Sequence, residues 1–458
     1  MKLWNYLKNN MMLNSNQVIC ENNAQISFEE LVIWAEIFSK KLKGLNSCAV
    51  LCQSEMMSAM AVLTCVAAGV TAIPMATRYG SQHCKKILDK INPEAIITDY
   101  EGKLEVVVVS DNKYIIPKKH PAFIMCTSGT TGDPKGVMLS EKNIITNIND
   151  IVDYLKINEK DSILIARPLY HCAVLTGEFF VSLVRGCKIR FYSGKFNPNE
   201  ILTLIQRHKV TTFCGTPTLL YMMSQFIRNK SVCPLKNICI SGECMDYDTG
   251  KYISNSFHKA DIYHVYGLTE ASPRVSYLSP NEFYKNPNCV GKPLKSVALK
   301  IINEKGQACK IGEEGELWIK GDSVMIGYYM DEALTNKVYK KGWLFTGDIA
   351  FINEKGLLQI KGRKDNLIIK GGMNIYPAEI ENALKIDPRV KSVIAYGYKT
   401  KFGTQIGLKI SGEFSSSDDV KKLCFAKLST YQFPTMIDLV DEIPYNASGK
   451  LERKVSLC

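Results

Sequence analysis

The sequence lacks an uninterrupted apolar segment that could cross a membrane. Its longest apolar stretch, residues 59–76, has nearly the length of a membrane span, but Thr64, Gly69 and Pro74 interrupt it. We therefore predict a buried helix that ends near Gly69, followed by a strand. Residues 1–17 also lack the continuous apolar core of a signal peptide. These two absences lead us to expect a cytoplasmic protein with no membrane span.

The sequence also lacks a Cys-x-x-Cys pair, although it contains 16 cysteines. Cys233, Cys239 and Cys244 are spaced too widely for a zinc knuckle and lie in apolar, strand-like sequence. In a long chain without an export signal, cysteines are expected to be reduced thiols. We therefore interpret them as small buried hydrophobic residues.

The formal net charge is +12, yet no zinc finger and no RNA-binding aromatic signature accompanies it. The basic residues are dispersed along the chain. Such a charge favours phosphorylated small molecules or an acidic carrier protein as partners. We expect no nucleic-acid partner, and the sequence does not predict an oligomeric state.

The order of strand-like and helix-like segments predicts an α/β fold. With 458 residues, the chain is too long for one compact core. Strands and helices alternate through the first two-thirds, and from about Val297 short strands separated by glycine-containing turns indicate antiparallel hairpins. We predict a large N-terminal domain, residues 1–364, made of α/β subdomains and a small distorted β-barrel. Residues 365–458 are predicted to form a small mobile α+β domain.

The segment TSGTTGDPKGV, residues 127–137, is a candidate phosphate-binding loop. It is not a Walker A loop, because Pro134 precedes Lys135 and Gly136 follows it. Main-chain N–H groups of a Gly/Ser/Thr loop can bind phosphate oxygens, and hydroxyl groups and a lysine add further donors. The candidate phosphate-binding residues here are Thr127, Ser128, Gly129, Thr130, Thr131, Gly132 and Lys135.

A second motif, VYGLTEAS at residues 265–272, combines an aromatic ring, a hydroxyl and a carboxylate. Tyr266 could stack on a purine, and Thr269 could donate to a phosphate. Glu270 could hold Mg²⁺, which prefers hard oxygen ligands and phosphate.

Three further segments carry single candidate residues. In GWLFTGDIA, Asp348 is an acceptor suited to a ribose diol, and GRKD supplies Arg363 as a donor. In NASGKLERK, Lys450 lies between a glycine and a leucine near the end of the sequence.

Taken in their order from Thr127 to Lys450, these segments resemble the adenylate-forming superfamily. Its members are acyl- and aryl-CoA synthetases, adenylation domains that load carrier proteins, and beetle luciferases. The resemblance implies that a carboxylic acid is joined to AMP with release of pyrophosphate and is then transferred to a thiol. The implied cofactors are ATP, Mg²⁺ and coenzyme A, or the phosphopantetheine of a carrier protein.

For ATP, the resemblance implies a complete set of contacts. Residues 127–136 would cover the β- and γ-phosphates, and Gly242 and Glu243 would flank the adenine on which Tyr266 stacks. The ribose would be held by Asp348 and Arg363.

For catalysis, the resemblance implies that Thr269 touches the α-phosphate, Glu270 holds the metal, and Lys450 bridges the acid and the α-phosphate. Asp365 matches the family's hinge position. The segment IIKGGMNIYPAEIE resembles the tunnel for the thiol donor, in which Gly371 and Gly372 would let the pantetheine arm pass close to the main chain.

The acid pocket is predicted around RPLYHCAVLTGE. Amino-acid-activating relatives place an aspartate there, and its absence disfavours an α-amino acid. His171 resembles the gate of the acyl pocket and is also a catalytic candidate, and Gly215 and Gly267 are predicted pocket walls. We expect an aromatic or medium-length acid.

Three functions remain open at this point. The first is an acid–CoA ligase, and the second shares the adenylation step but loads a carrier protein. The third is a non-catalytic descendant that only binds nucleotide, which the presence of Lys450, Glu270, Asp348 and Arg363 disfavours.

Overall fold

The computed structural model describes residues 1–75, 77, 81–109, 114–128, 134–194, 197–227, 233–370, 373–400 and 403–443. Within these ranges, no helix is both long enough and apolar enough to cross a bilayer.

The helices of the described residues fall mostly in the first two-thirds of the chain and cover the faces of two large sheets. They are α1 (Leu3–Leu13), α2 (Phe28–Ser39), α3 (Glu55–Ala68), α4 (Ser81–Ile91), α5 (Glu141–Tyr154), α6 (Cys172–Val174), α7 (Val181–Arg185), α8 (Pro198–Arg207), α9 (Pro217–Gln225), α10 (Tyr247–Ser256), α11 (Pro280–Phe283), α12 (Glu332–Val338), α13 (Pro377–Lys385) and α14 (Ser417–Lys427). A π-helical segment, Leu175–Phe180, connects α6 to α7.

The strands alternate with these helices up to about residue 267 and follow one another more closely afterwards. They are β1 (Val18–Glu21), β2 (Ala24–Ser27), β3 (Ser47–Val50), β4 (Thr71–Pro74), β5 (Ala95–Tyr100), β6 (Lys103–Val108), β7 (Phe123–Ser128), β8 (Pro134–Leu139), β9 (Ser162–Ile165), β10 (Lys188–Phe191), β11 (Thr212–Gly215), β12 (Asn237–Ile240), β13 (Asp261–Gly267), β14 (Arg274–Leu278), β15 (Lys292–Pro293), β16 (Val297–Ile302), β17 (Gly315–Gly321), β18 (Gly327–Tyr328), β19 (Tyr339–Lys340), β20 (Trp343–Ile352), β21 (Leu358–Arg363), β22 (Ile368–Lys370), β23 (Met373–Ile375), β24 (Val390–Thr400), β25 (Gly403–Gly412) and β26 (Met436–Leu439).

Two large sheets form the body of the molecule. One has the order β18-β8-β7-β4-β3-β5-β6, and the other has the order β15-β14-β13-β12-β11-β9-β10-β1-β2. Side chains of both sheets, such as Phe123 on β7 and Ile163 on β9, share one buried core with Phe179 and Phe180 of the π-helical segment. Because parallel strands are buried on both faces, their sequences are almost continuously apolar. The alternation of strands and helices predicted from the sequence is confirmed.

The helix α3 confirms the interpretation of the long apolar stretch. Ser54 caps its start by accepting a hydrogen bond from the main-chain N–H of Met57. The helix ends at Gly69, which has φ +72°, a conformation that glycine adopts without steric cost. The chain then enters β4, so the apolar stretch is a buried helix and a buried strand.

A third, five-stranded antiparallel sheet follows from Val297, where the sequence analysis predicted antiparallel hairpins in a small distorted barrel. Its order is β16-β17-β20-β19, and β21 also pairs with β20. The long strand β20 changes register against both β17 and β21, which bends it. Among the described residues, β16 pairs only with β17, so the sheet is open.

The C-terminal part of the described chain has its own core. The strands β24, β25 and β26 form a three-stranded sheet, and β22 and β23 form a hairpin. Ile380 of α13 and Val420 of α14 pack with Ile406 of β25 in an apolar cluster that is separate from those of the large sheets. Pro377 occupies the first turn of α13, a position that favours proline.

Candidate active site

Several predicted site residues lie at or after the carboxyl ends of neighbouring parallel strands in the nine-stranded sheet. The strands β9, β11, β12 and β13 are parallel neighbours there. His171 follows β9, Gly215 ends β11, Gly242 follows β12, and Gly267 ends β13. In open α/β sheets, ligands bind beyond the carboxyl ends of such strands. The topology therefore brings together candidates that are far apart in the sequence.

Asp348 connects two other predicted residues, Tyr266 and Arg363. On the antiparallel strands β20 and β21, Asp348 and Arg363 lie opposite each other. The Tyr266 hydroxyl donates a hydrogen bond of 2.5 Å to the Asp348 carboxylate. Arg363 donates to the same carboxylate at 3.4 Å and to the carbonyl oxygen of Thr346 at 2.8 Å. Burial lowers the pKa of Arg363. The charge of Asp348 and smaller contributions from other acidic groups together raise it by more, so the pKa lies above its ordinary value.

Glu270 lies directly after β13, in the 3₁₀ turn Thr269–Ala271. Its carboxylate accepts a hydrogen bond of 2.8 Å from the hydroxyl of Tyr328, and its carbonyl oxygen accepts one of 2.9 Å from the main-chain N–H of Met325. Burial, and then the charge of Glu270, raise the pKa of Tyr328. A carboxylate held in this way offers the hard oxygen ligand that Mg²⁺ prefers, so the chemistry of Glu270 fits this metal. The sequence did not predict Tyr328.

The flanks of the candidate phosphate loop are strands that pair with each other. Thr127 and Ser128 end β7, and Lys135 lies on β8 opposite Thr127. The Nζ atom of Lys135 is 5.9 Å from the centre of the Tyr328 ring, so a cation lies near the tyrosine that contacts Glu270. Gly129, Thr130, Thr131 and Gly132 lie outside the described residues.

Gly242 and Glu243 form the turn after β12. Gly242 is exposed and has φ +97°, a conformation that favours glycine. The Glu243 carboxylate accepts hydrogen bonds from the hydroxyl of Thr218 at 2.6 Å and from its main-chain N–H at 3.3 Å. Glu243 therefore holds the start of α9. The exposed group after the carboxyl end of β12 is the main chain of Gly242.

His171, the predicted gate of the acid pocket, is half-buried directly before α6. Its ring centre is 4.2 Å from that of Tyr170, with the two planes tilted by 41°. The segment that follows His171 turns into the π-helix, a rare geometry that is frequent at functional sites.

Close packing around the two predicted pocket glycines, Gly215 and Gly267, already favours glycine at both positions. A Cβ atom on Gly215 would lie 3.1 Å from Cε1 of Phe213 and 3.3 Å from Cγ of Leu220. A Cβ atom on Gly267 would lie 1.9 Å from the carbonyl oxygen of Pro273, because β13 and β14 approach each other closely at a register shift. Any side chain at position 267 would thus separate these strands.

The sequence analysis missed a buried ion pair whose two residues lie on either side of His171 in the sequence. Arg167 Nη2 lies 2.6 Å from Glu178 Oε1, and Arg167 Nη1 lies 3.3 Å from the Ser241 hydroxyl. Glu178 is 1% exposed, and its burial raises its pKa despite the opposing effect of Arg167. The only signal in the sequence was a charged residue within the apolar stretch LTGEFFV.

The C-terminal candidates are only partly described. Asp365 is exposed and lies in the 3₁₀ turn Lys364–Asn366, between β21 and β22. Gly371, Gly372 and Lys450 lie outside the described residues.

Comparison with known proteins identifies the family. The family model for the AMP-binding enzyme matches residues 14–329, and the chain belongs to this family. The human mitochondrial medium-chain acyl-CoA ligase ACSF2 is 32% identical over 357 residues, which cover 75% of this chain. The chain spans only 58% of the length of that relative. The 2-succinylbenzoate–CoA ligase of Bacillus subtilis is 28% identical over 486 residues, which cover 97% of this chain and 96% of the relative.

Solved structures agree with this assignment. The o-succinylbenzoate CoA synthetase of Bacillus subtilis in complex with its acyl-adenylate intermediate has a TM-score of 0.85 and 27% identity, covering 98% of this chain and 96% of that one. The same enzyme in complex with ATP and magnesium also gives 0.85, with 28% identity and 98% coverage of both chains. These matches extend over the large N-terminal part and the smaller C-terminal part, so they confirm the predicted α/β class with two unequal parts.

Proposed function

We propose that this protein is an ATP-dependent acid–thiol ligase that makes an acyl- or aryl-adenylate and transfers the acyl group to coenzyme A. The observation that carries the proposal is the convergence of Tyr266, Asp348 and Arg363 into one contact group. This contact group lies near the carboxyl end of β13, which Glu270 follows directly. Membership of the AMP-binding family and the two CoA ligases above support the same reaction.

In this proposal, ATP binds across the edge of the nine-stranded sheet. The carboxylate of Asp348 would accept hydrogen bonds from the ribose hydroxyls, and Arg363 would hold that carboxylate in place. Gly242 and Tyr266 would flank the adenine. The Lys135 ammonium and the loop that precedes it would bind the phosphate oxygens.

The chemical problem is to bring a carboxylate against an α-phosphate of the same charge. Mg²⁺, when bound through Glu270, would neutralise phosphate charge. Thr269 would donate to the α-phosphate, and Lys450 would lie between the two reacting anions and stabilise the in-line transition state. The bond formed is a mixed anhydride, and pyrophosphate leaves. A thiolate can then displace AMP, which is a far better leaving group than oxide.

The proposed division into residues 1–364 and 365–458, with the hinge at Asp365, is supported by polar contacts around the junction. The Tyr376 hydroxyl donates to Glu314 at 2.6 Å, and Lys361 pairs with Glu379. Such polar contacts can break and reform in water, as a small domain that rotates between two half-reactions requires. In this proposal, Gly371 and Gly372 line the passage of the thiol donor.

The acceptor is proposed to be coenzyme A, with a carrier protein as the second candidate. Residues 361–458 contain 16 Lys and Arg against 11 Asp and Glu, a difference of +5. Both candidate acceptors are negatively charged, so the charge supports either one.

The test is acid-dependent exchange of pyrophosphate into ATP with medium-chain and aromatic acids, followed by thioester formation with coenzyme A or a holo-carrier protein. We expect exchange with at least one acid and a fall of about 10²–10³-fold in the Lys450→Ala variant, as for loss of one preorganised donor. Background exchange with every acid, unchanged by Lys450→Ala, would favour a non-catalytic nucleotide-binding protein. Thioester formed only on the carrier would favour the second acceptor.

A further inference from the structure

A buried arginine lies next to the predicted acid pocket. Arg274, the first residue of β14, is 2% exposed. It is close enough to the Arg167–Glu178 ion pair for its charge to lower the pKa of Glu178. Two guanidinium groups and one carboxylate leave this cluster with a charge of +1. Within the described ranges, Arg274 has no carboxylate within ion-pair distance.

Arg274 has unused hydrogen-bond donors. Its Nε and Nη2 atoms are buried and lack a hydrogen-bond partner among the described residues. These two nitrogens form one edge of the guanidinium, the edge that binds a carboxylate through two parallel hydrogen bonds. Because leaving buried charged donors unpaired is costly, such an edge indicates a ligand.

The free edge points to the segment that follows His171. A Cβ atom on Gly177 would lie 3.2 Å from both Nε and Nη2 of Arg274 and 3.5 Å from Cζ. These distances put the missing methyl group in front of the edge, at the same distance from both nitrogens. A side chain at position 177, within the π-helical segment, would therefore crowd this edge, and glycine avoids that contact.

The main chain of Arg274 is fixed on both sides of this position. The Asn147 side chain accepts from the N–H of Arg274 at 3.1 Å and donates to its carbonyl oxygen at 2.9 Å. Across the strand pair, Arg274 lies opposite Gly267, the other predicted wall of the acid pocket. The main chain of Arg274 is thus held by α5 and by the strand that carries Gly267.

The thiol of Cys239 is the alternative partner within the protein for the charge of Arg274. Cys239 lies opposite Cys214 on the adjacent strand. Its hydrogen bond with Cys214 and the charges of Arg274 and Arg167 lower the pKa of Cys239, although burial opposes this shift. A thiolate at this place would balance part of the charge, but Nε and Nη2 of Arg274 remain without a hydrogen-bond partner among the described residues.

We infer that Arg274 binds a second carboxylate at the far end of the acid, so that this enzyme activates dicarboxylic acids. The inference rests on the proposed function, because it assigns the substrate class of the same site. The carboxylate that is activated would lie at the nucleotide, and the other would pair with the free edge of Arg274. An apolar chain end at that place would leave the guanidinium buried and unpaired.

The experiment compares pairs of acids with equal carbon number in pyrophosphate exchange with the full-length protein. Succinate, glutarate, adipate and terephthalate are matched with butyrate, pentanoate, hexanoate and 4-methylbenzoate. We expect the best dicarboxylate to exceed its partner in kcat/KM by at least about 30-fold, as for a buried charge pair. Arg274→Met should remove this preference, and Gly177→Ala should weaken it by placing a methyl group before the edge.

The KM for ATP of each variant shows whether the nucleotide site is still folded. If the wild-type protein prefers the monocarboxylates, the inference is wrong while the proposed ligase function stands. If Arg274→Met keeps the preference for dicarboxylates, the assignment to Arg274 is wrong. If no acid of the panel or of the medium-chain and aromatic set supports exchange, the proposed function fails, and the inference fails with it.

Discussion

The hydroxyl of Tyr266 and the carboxylate of Asp348, 82 positions apart in the chain, share a hydrogen bond that joins two sheets. Tyr266 lies on β13 of the nine-stranded sheet, and Asp348 lies on β20 of the five-stranded sheet. The proposed binding of adenine and ribose thus depends on the junction between these sheets.

Asp348→Asn should weaken the binding of ATP. The amide is a weaker acceptor for ribose hydroxyls, and it removes the charge that holds Arg363. We expect the KM for ATP in pyrophosphate exchange to rise by about 10-fold or more, the effect of losing a charged hydrogen-bond partner. Asp387→Asn is the matched control, because Asp387 pairs with Arg389 in the C-terminal part. Equal KM values for both variants would contradict the assignment of Asp348.

Tyr328→Phe should raise the concentration of Mg²⁺ needed for activity. The Tyr328 hydroxyl donates to Glu270, and removing a group that orients a metal ligand typically costs about 10–100-fold in metal affinity. A Mg²⁺ titration at saturating ATP measures the shift.

Tyr329→Phe is the matched control for this titration. The Tyr329 hydroxyl contacts main-chain atoms of Ile91 and Ile115, away from Glu270. A shift of the same size in both variants would show that it arises from general destabilisation, which would count against a role of Tyr328 at the metal.

Asp365→Pro should separate the two half-reactions. Asp365 is exposed in the short turn between β21 and β22, and proline fixes φ there. We expect pyrophosphate exchange to persist while thioester formation slows, because only the second step requires the proposed rotation. Asp365→Ala, which leaves φ free, should retain both steps. A parallel loss of exchange and thioester formation in the proline variant would exclude rotation about this residue.

The sequence predicted those parts of the molecule that local patterns determine. Gly69 ended α3 as expected, and the predicted alternation of strands and helices gave parallel strands such as β9 and β11. A left-handed helix end favours glycine, and buried strands need apolar runs, so both features are visible in a short window of sequence.

The sequence did not predict the partners that tertiary structure brings together. Tyr328 contacts Glu270, which lies 58 positions away in the sequence. Arg274 lies in a strand-like segment whose sequence does not indicate that the guanidinium is buried with unpaired nitrogens. Gly267 was interpreted as a pocket wall, yet the close approach of β14 already requires a glycine. Such constraints arise from pairing between strands that a linear pattern does not specify.

His264 should make the folded state less stable in mild acid. It is 2% exposed on β13, its Nδ1 lies 3.0 Å from the carbonyl oxygen of Pro287, and burial lowers its pKa to about 4. Below its ordinary pKa of about 6.5, the unfolded chain binds a proton that the folded chain excludes until about pH 4. Stability is therefore lost as the pH falls through this window, by about 2 kcal/mol at pH 5.

The His264→Asn variant isolates this effect, because its amide can donate to the same carbonyl oxygen without titrating. Urea unfolding of both proteins at pH 7.5 and pH 5 compares the two losses of stability. Acid effects from other groups are common to both proteins and cancel in the comparison. The wild-type protein should lose more stability than the variant on acidification. An equal loss in both proteins would mean that His264 takes up its proton at the same pH in the folded and unfolded chains.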